Sequence, residues 1–432
     1  MAFPTSSSRP LRIAIHGFAA DGAGSGAGAF PMLMACLLEA GHEVHFYGVR
    51  AYTEPKSLER YARYRFIPIK VPAVDRFRPI IRRYGSNRYA FGVQAALSHA
   101  AYHRATIERM ERQHPAYDVV ACLDALNLWP SRLPVVSWPQ SPPHTEWAAL
   151  RDRDVSRSVR KSEGLPYFAA LHAYRAYRWA QGQLAMRFSD LIVCGSDWAR
   201  SEWLRFGLEP ERACVLPYPV DVDWAASAGA KPAANGTTTY LWLGRAVPRK
   251  RLDLFLNAFE LVRRRDPAAR ALFVGNLQQD PASERLLARF RDDPAVSFSK
   301  PVGRAEVPAL LSSVDVLVQP SLNENFGVAV AEALAAGRPV VVGPTNGTGA
   351  FGGDAAFIFS DYSPAAVAEA MERAAAARRS EPESLAAHAH AAARSHFEPA
   401  RVARAFAELL ERTRSAPRRF NLRHWGATGV EG

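Results

Sequence analysis

Cysteine is scarce in this chain. Four occur in 432 residues, Cys36, Cys122, Cys194 and Cys214, and no two form a C-x-x-C pair. That spacing argues against a disulfide framework, and each cysteine lies in or beside an apolar run, so buried free thiols in a reducing cytosol are expected. No His/Cys cluster suggests zinc. No apolar stretch reaches the roughly 18 residues needed to span a bilayer. The opening MAFPTSSSRP carries no signal-like apolar segment. A cytoplasmic protein is expected, soluble or held peripherally at the inner membrane. Neither G-x-S-x-G nor G-x-x-x-x-G-K-[ST] occurs, which removes the hydrolase elbow and the P-loop. Solenoid repeats of about 20–50 residues are also missing.

The composition, 48% hydrophobic and 22% charged, is that of a packed globular protein rather than a disordered one. A single core seldom grows past roughly 250–300 residues, so this length predicts two domains. The net charge of +12 favours anionic partners such as sugar nucleotides, acidic lipids or nucleic acid, without choosing among them.

Short Val/Ile/Leu-rich runs alternate with longer helical patterns. Near-continuous apolar runs suit strands buried on both faces, as in parallel sheets. The first half offers strands at Leu11–His16, Glu43–Tyr47, Tyr117–Leu123, Leu133–Trp138, Asp190–Cys194 and Cys214–Pro217. The second offers Thr239–Leu243, Ala271–Val274, Ala295–Ser299, Asp315–Gln319, Pro339–Val342 and Ala356–Phe359. Between the two sets lies a small-residue stretch with Pro and Gly. The expected organisation is an α/β pair of doubly wound, Rossmann-like domains facing one cleft: 1–221, a linker at 222–238, 239–412, and a basic tail at 413–432 that returns to the first domain.

Two segments carry chemistry. In SLNENFGVAVAEALAAGRPVVV, Glu324 sits in a polar loop just beyond a strand, and Glu332 lies eight positions later on the following helix. Five helical positions rise about 7.5 Å, comparable to the span from a sugar ring across two phosphates to a ribose. The free amides of the helix start between them form an anion site. The plainer alternative is a loop acid and a solvated helix acid. In YLWLGRAVPRKRLDLFL, a strand ends at Gly244 and is followed by Arg245 and Lys250. Glycine lets a ligand approach the backbone, and the two cations suit a diphosphate.

GRAVPRK and ENFGVAVAEALAAGRPVV resemble the G-R-x(4)-K and E-x7-E signatures of retaining glycosyltransferases of the GT-B fold, family 4, also called glycosyl transferase group 1. CGSDWARSEWLRFGLEPERACVLPYPVD, GDAAFIFSDYSPAAVAEAMERA and HFEPARVARAFAELLER are similar to further family segments. The resemblance covers most of Asp190–Arg412 and only the outline of the first half. PYPVD stands where the family usually has P-N-G-V-D. The resemblance implies a GT-B fold and a metal-independent enzyme that moves a sugar from a nucleotide-diphosphate sugar with retention. It implies an acceptor held by the first domain, whether glycan, lipid or small molecule, and no cofactor. Arg245 and Lys250 would neutralise the diphosphate, and Glu324 would hold the sugar. The backbone amides of Asn325, Phe326 and Gly327 would face sugar or phosphate, and Glu332 would bind ribose. A sugar-nucleotide epimerase or a non-catalytic sugar-nucleotide binder on the same fold is the alternative.

The first half adds weaker candidates. GAGSGAGAF nominally fits a dinucleotide fingerprint at Gly24, Gly26 and Ala29, but the second strand ends without the ribose-binding acid. The resemblance instead lets Gly26 and Gly28 bring a loop toward donor phosphate or acceptor, although the family's following acid is missing. His144, in a Pro-rich loop beyond a strand, is a candidate neighbour of the transferred sugar or a plain surface histidine. D-x-D triplets at Asp152–Asp154 and Asp221–Asp223 sit in a charged run and at the linker, and no metal is expected from them. Arg60–Arg88 holds nine basic residues and one acid among aromatics. It reads as a solvated face or as a dock for an anionic membrane. No nucleic-acid module is recognisable.

Overall fold

A computed structural model of the chain describes residues 9–17, 26–48, 54–71, 91–145, 165–227, 236–276 and 287–417, with Ala19, Asp21, Ser156, Arg157, Arg160 and Gly229 between them. Two parallel sheets organise it. The first contains β1 (Arg12–Gly17), β2 (Glu43–Gly48), β3 (Tyr64–Pro68), β4 (Val119–Leu123), β5 (Val135–Trp138), β6 (Leu191–Cys194) and β7 (Ala213–Val215), in the order β3-β2-β1-β4-β5-β6-β7. The second contains β8 (Thr239–Leu243), β9 (Arg270–Val274), β10 (Val296–Ser299), β11 (Val316–Gln319), β12 (Val340–Val342) and β13 (Ala356–Ile358), in the order β10-β9-β8-β11-β12-β13. Every residue of β4, β5, β11 and β12 is buried, because helices cover both faces.

The helices are α1 (Gly26–Glu39), α2 (Phe91–Glu111), α3 (Leu165–Phe188), α4 (Asp197–Phe206), α5 (Val222–Ala226), α6 (Leu252–Arg265), α7 (Val307–Ser312), α8 (Val328–Ala335), α9 (Pro364–Ser380), α10 (Pro382–Phe397) and α11 (Pro399–Ser415). Local chemistry sets their ends. Ser196 accepts from the Ala199 amide to start α4, and Gly207, at φ +109°, stops it. Gly337, at φ +70°, follows α8 as the spacing of its sequence predicts.

Three features differ from the sequence expectations. β3 is an additional strand. It lies at the edge of the first sheet and is built from the start of the basic Arg60–Arg88 stretch, of which residues 72–88 lie outside the described residues. The stretch expected as a linker begins with the helical turn α5, capped by the Asp221 carboxylate on the Trp224 amide; 228 and 230–235 lie outside the described residues. The return to the first lobe precedes residue 413, since α11 already packs on α1, β4 and β5 and lays Phe406 5.0 Å from the Trp138 ring. No described helix is long and apolar enough to cross a membrane.

The lobes share one apolar joint. The rings of Phe30, Trp138, Tyr218, Phe326 and Phe397 run across it with successive centroids 5.2–5.6 Å apart. Strand order reverses direction between β1 and β4 in the first sheet and between β8 and β11 in the second. Crevices beyond the carboxyl ends at such points are where open α/β sheets bind ligands.

Candidate active site

Both signature segments border the second crevice. β8 ends at Gly244, whose φ is +154°. A Cβ on the neighbouring Gly275 would stand 1.8 Å from the Gly244 carbonyl oxygen, so only glycine permits this approach of backbones. A 3-10 turn, Pro248–Lys250, follows. Arg251 then adopts the left-handed conformation, φ +49°, with its guanidinium on Asp253. Beyond β11 the loop is stitched to this turn: the Leu322 amide donates to the Arg249 carbonyl at 2.7 Å. Glu324 is then held on both sides of its backbone. Its amide donates to Thr345, and its carbonyl accepts from Gly347.

The result is a buried cluster. Glu324 is 8% exposed. Its Oε2 accepts from Lys250 Nζ and, at 2.9 Å, from Arg249. Burial alone would raise this carboxyl, but the two cations override it and hold it down at about 2. Burial likewise pushes the Lys250 ammonium below its ordinary value; Glu324 opposes that shift, while Arg249 and Arg245 add to it. Arg245 is exposed, and its charge is felt at Lys250. Lys250 and Glu324 therefore meet in one ion pair, with the exposed Arg245 near enough for its charge to act on Lys250. Arg249 joins them, unsingled in the sequence because it neighbours the motif lysine.

A second pair lies along α8. Glu332, 6% exposed, accepts from Arg304 at 3.0 Å. The Arg304 guanidinium lies 4.0 Å from the centroid of the Trp224 ring. Burial raises the Glu332 carboxyl above its ordinary range, with Arg304 opposing. Neither Arg304 nor Trp224 was singled out from the sequence. The available signal was an arginine after Gly303, just beyond the carboxyl end of β10.

The other candidates divide. The Gly327 amide donates to the Thr348 hydroxyl. Phe326 belongs to the interlobe joint. The Asn325 side chain crosses between lobes, accepting from the Gly195 amide and donating to the Gln140 carbonyl. Gly26 and Gly28 are not loop residues; they open the first turn of α1. His144 stacks on Phe206 with ring centroids 4.3 Å apart and turns Nε2 toward Glu202, both on α4 and neither in the ion-pair cluster. Asp221 caps α5, and Asp223 pairs with Arg394 at 2.6 Å. Asp152–Asp154 lies outside the described residues. Among the described residues, no group of three or more His, Cys, Asp or Glu is placed to hold a metal.

Known proteins resemble this chain in sequence and in fold. The family model for glycosyl transferases group 1 matches residues 237–377, and that for glycosyltransferase family 4 matches 32–224. D-inositol 3-phosphate glycosyltransferases are similar: that of Geodermatophilus obscurus is 30% identical over 222 residues, 48% of this chain and 49% of the relative. That of Kineococcus radiotolerans is 29% identical over 182 residues, 38% and 42% respectively. The chain thus spans less than half the length of these relatives. Anabaena HepE in complex with UDP and glucose superposes with a TM-score of 0.57 at 16% identity, over 93% of this chain and 99% of that one. A sucrose-phosphate synthase from Thermosynechococcus elongatus gives 0.61 at 14% identity, over 93% of this chain and 98% of that one. These likenesses establish the two-lobed GT-B fold. With one family model on each lobe, the chain belongs to the group 1, family 4 glycosyltransferases.

Proposed function

We propose that the protein transfers a sugar from a nucleotide-diphosphate sugar to an acceptor hydroxyl, with retention of configuration and without a metal. One observation carries this reading: Lys250 and Arg249 meet Glu324 at the crevice where the second sheet reverses. A diphosphate lying there would find cations on one side and a sugar-facing carboxylate on the other. A lysine ammonium has three donors, so a bond to Glu324 is compatible with bonds to phosphate oxygens. Arg245 extends the positive surface toward solvent, where the charged ligand enters.

The bond between the anomeric carbon and the β-phosphate oxygen breaks, and a bond from the acceptor oxygen forms on the same face. The departing phosphate takes the acceptor's proton. Negative charge grows on the diphosphate as this happens. Cations fixed at that place stabilise the transition state more than the ground state. Glu324, held ionised by its neighbours, accepts hydrogen bonds from sugar hydroxyls, and Glu332 accepts from the ribose. The flat Arg304 guanidinium beside Glu332 offers a face for the base. Retention is drawn from the family. The start of the Arg60–Arg88 stretch, at the outer edge of the first sheet, leaves peripheral membrane docking as part of the proposal.

The test is a thermal-shift screen of purified protein against UDP-, GDP- and ADP-sugars, followed by turnover of the one that protects. Protection follows because a ligand bound only by the folded state raises apparent stability. Lack of protection by all three would remove the donor reading.

A further inference from the structure

Two arginines of the second lobe are buried without a carboxylate bound to either. Arg338, between α8 and β12, is 0% exposed, and Arg378, in the last turn of α9, is 6% exposed. Arginine is almost never buried this far unless its charge is paired. Among the described residues, neither guanidinium forms an ion pair. The charge of the buried Asp315 does reach Arg338, but Asp315 Oδ2 is taken by the Thr239 amide at 2.8 Å.

Each guanidinium is only partly used. Arg338 Nη2 donates to the Ser312 carbonyl at 2.9 Å, and Arg378 Nη1 donates to the Pro382 carbonyl at 3.2 Å. Arg338 Nε, Arg338 Nη1 and Arg378 Nε are buried and find no hydrogen-bond partner among the described residues. Native proteins seldom leave buried donors so, and charged ones cost the most. The two arginines also repel each other. Burial pushes the Arg338 guanidinium below its ordinary value, and Arg378 adds to that shift while Asp315 opposes it.

The cluster stands apart from the donor crevice. Asp315 and Arg338 lie just before β11 and β12, at the amino end of the second sheet, whereas Glu324 lies beyond its carboxyl end. The Arg338 amide donates to the Ala333 carbonyl, so the site sits at the far end of α8, the helix that carries Glu332.

We propose that Arg338 and Arg378 form a buried site for one small monovalent anion of chloride size, held by Arg338 Nε and Nη1 and by Arg378 Nε. The unused groups are all donors, so the ligand must accept. Water also carries two hydrogens that would need acceptors, and the Ser312 and Pro382 carbonyls already receive from these arginines. Two cations and one acid leave a single positive charge, which one monovalent anion balances. A nucleotide phosphate would bring more charge than that. The anion acts on stability rather than on the reaction, and the inference is independent of the donor reading.

The test is thermal unfolding of full-length protein at constant ionic strength, with chloride exchanged for the bulkier methanesulfonate. Chloride about tenfold above its Kd should raise the midpoint by about 3–5 °C, and the rise should saturate. Arg378→Met exchanges one buried cation for an apolar chain of similar reach, which folded proteins often tolerate. Its midpoint should be the same in both salts. Crystals of wild type grown from bromide should show an anomalous scattering peak between the two guanidiniums. Equal wild-type midpoints in the two salts, a chloride shift kept in Arg378→Met, or no bromide peak at the arginines would each overturn the proposal. A peak without the chloride shift would mean binding at crystal concentration only, and would overturn it as well. Both wild-type measurements decide the matter even if Arg378→Met does not fold.

Discussion

Lys250 and Glu324 come from different segments, and each needs the other. Alone, a buried lysine and a buried glutamate would both drift toward neutrality. Together with Arg249 they keep the carboxylate ionised. Glu324 is held at about 2 in the folded protein against 4.5 ordinarily, so the stability it contributes is complete above about pH 4.5. That contribution drains away as pH falls through 4.5 toward 2. Urea midpoints measured across this window should fall more steeply for wild type than for Glu324→Gln; equal slopes would contradict the pairing. Trp224→Ala removes the surface that holds Arg304 beside Glu332. It is expected to raise KM for the donor about tenfold with kcat nearly unchanged, since ribose and base binding is shared by ground and transition states. An unchanged KM would remove Trp224 from the site. Glu332 was legible from its motif, but its partners Trp224 and Arg304 were not, because they reach it only where α5, α8 and the turn preceding α7 pack together.

Among elements, the buried parallel strands were the most legible. All twelve expected strands form, and the central ones, covered on both faces, write themselves as unbroken apolar runs. β3 was not, for the opposite reason. As an edge strand it carries Arg65 and ends on Pro68, the features that protect an exposed edge, and it reads as part of a basic loop. The end of α8 was legible from Gly337. A Cβ there would meet His390 Nε2 at 2.9 Å and Ala386 Cβ at 3.2 Å, in addition to the φ of +70°. Gly337→Ala should therefore lower unfolding free energy by about 1–2 kcal/mol from the left-handed conformation alone. Denaturant titration checks this, and a loss below about 0.3 kcal/mol would mean the helix end relaxes freely.

The whole molecule is two sheets locked by a shared joint rather than two lobes on a string. A Cβ on Gly347 of the second lobe would fall 2.1 Å from the Ser196 hydroxyl of the first. α11 leaves the second lobe to cover the first, which places Phe406, fully buried, against Trp138. The sequence showed the amphipathic helix but not which lobe it served, because one apolar face fits either. Phe406→Ala should cost about 3–5 kcal/mol, as a large core truncation does. The loss should appear in the near-ultraviolet signal of the first lobe's tryptophans; a loss confined to the second lobe would reassign the helix.

The central claim is that Lys250 and Glu324 serve one diphosphate between the lobes. Calorimetric titration of the protective sugar nucleotide into wild type and Lys250→Ala tests it most directly. Affinity at least a hundredfold weaker is expected in the variant, with the fold intact by circular dichroism. Equal affinity in the two proteins would contradict it.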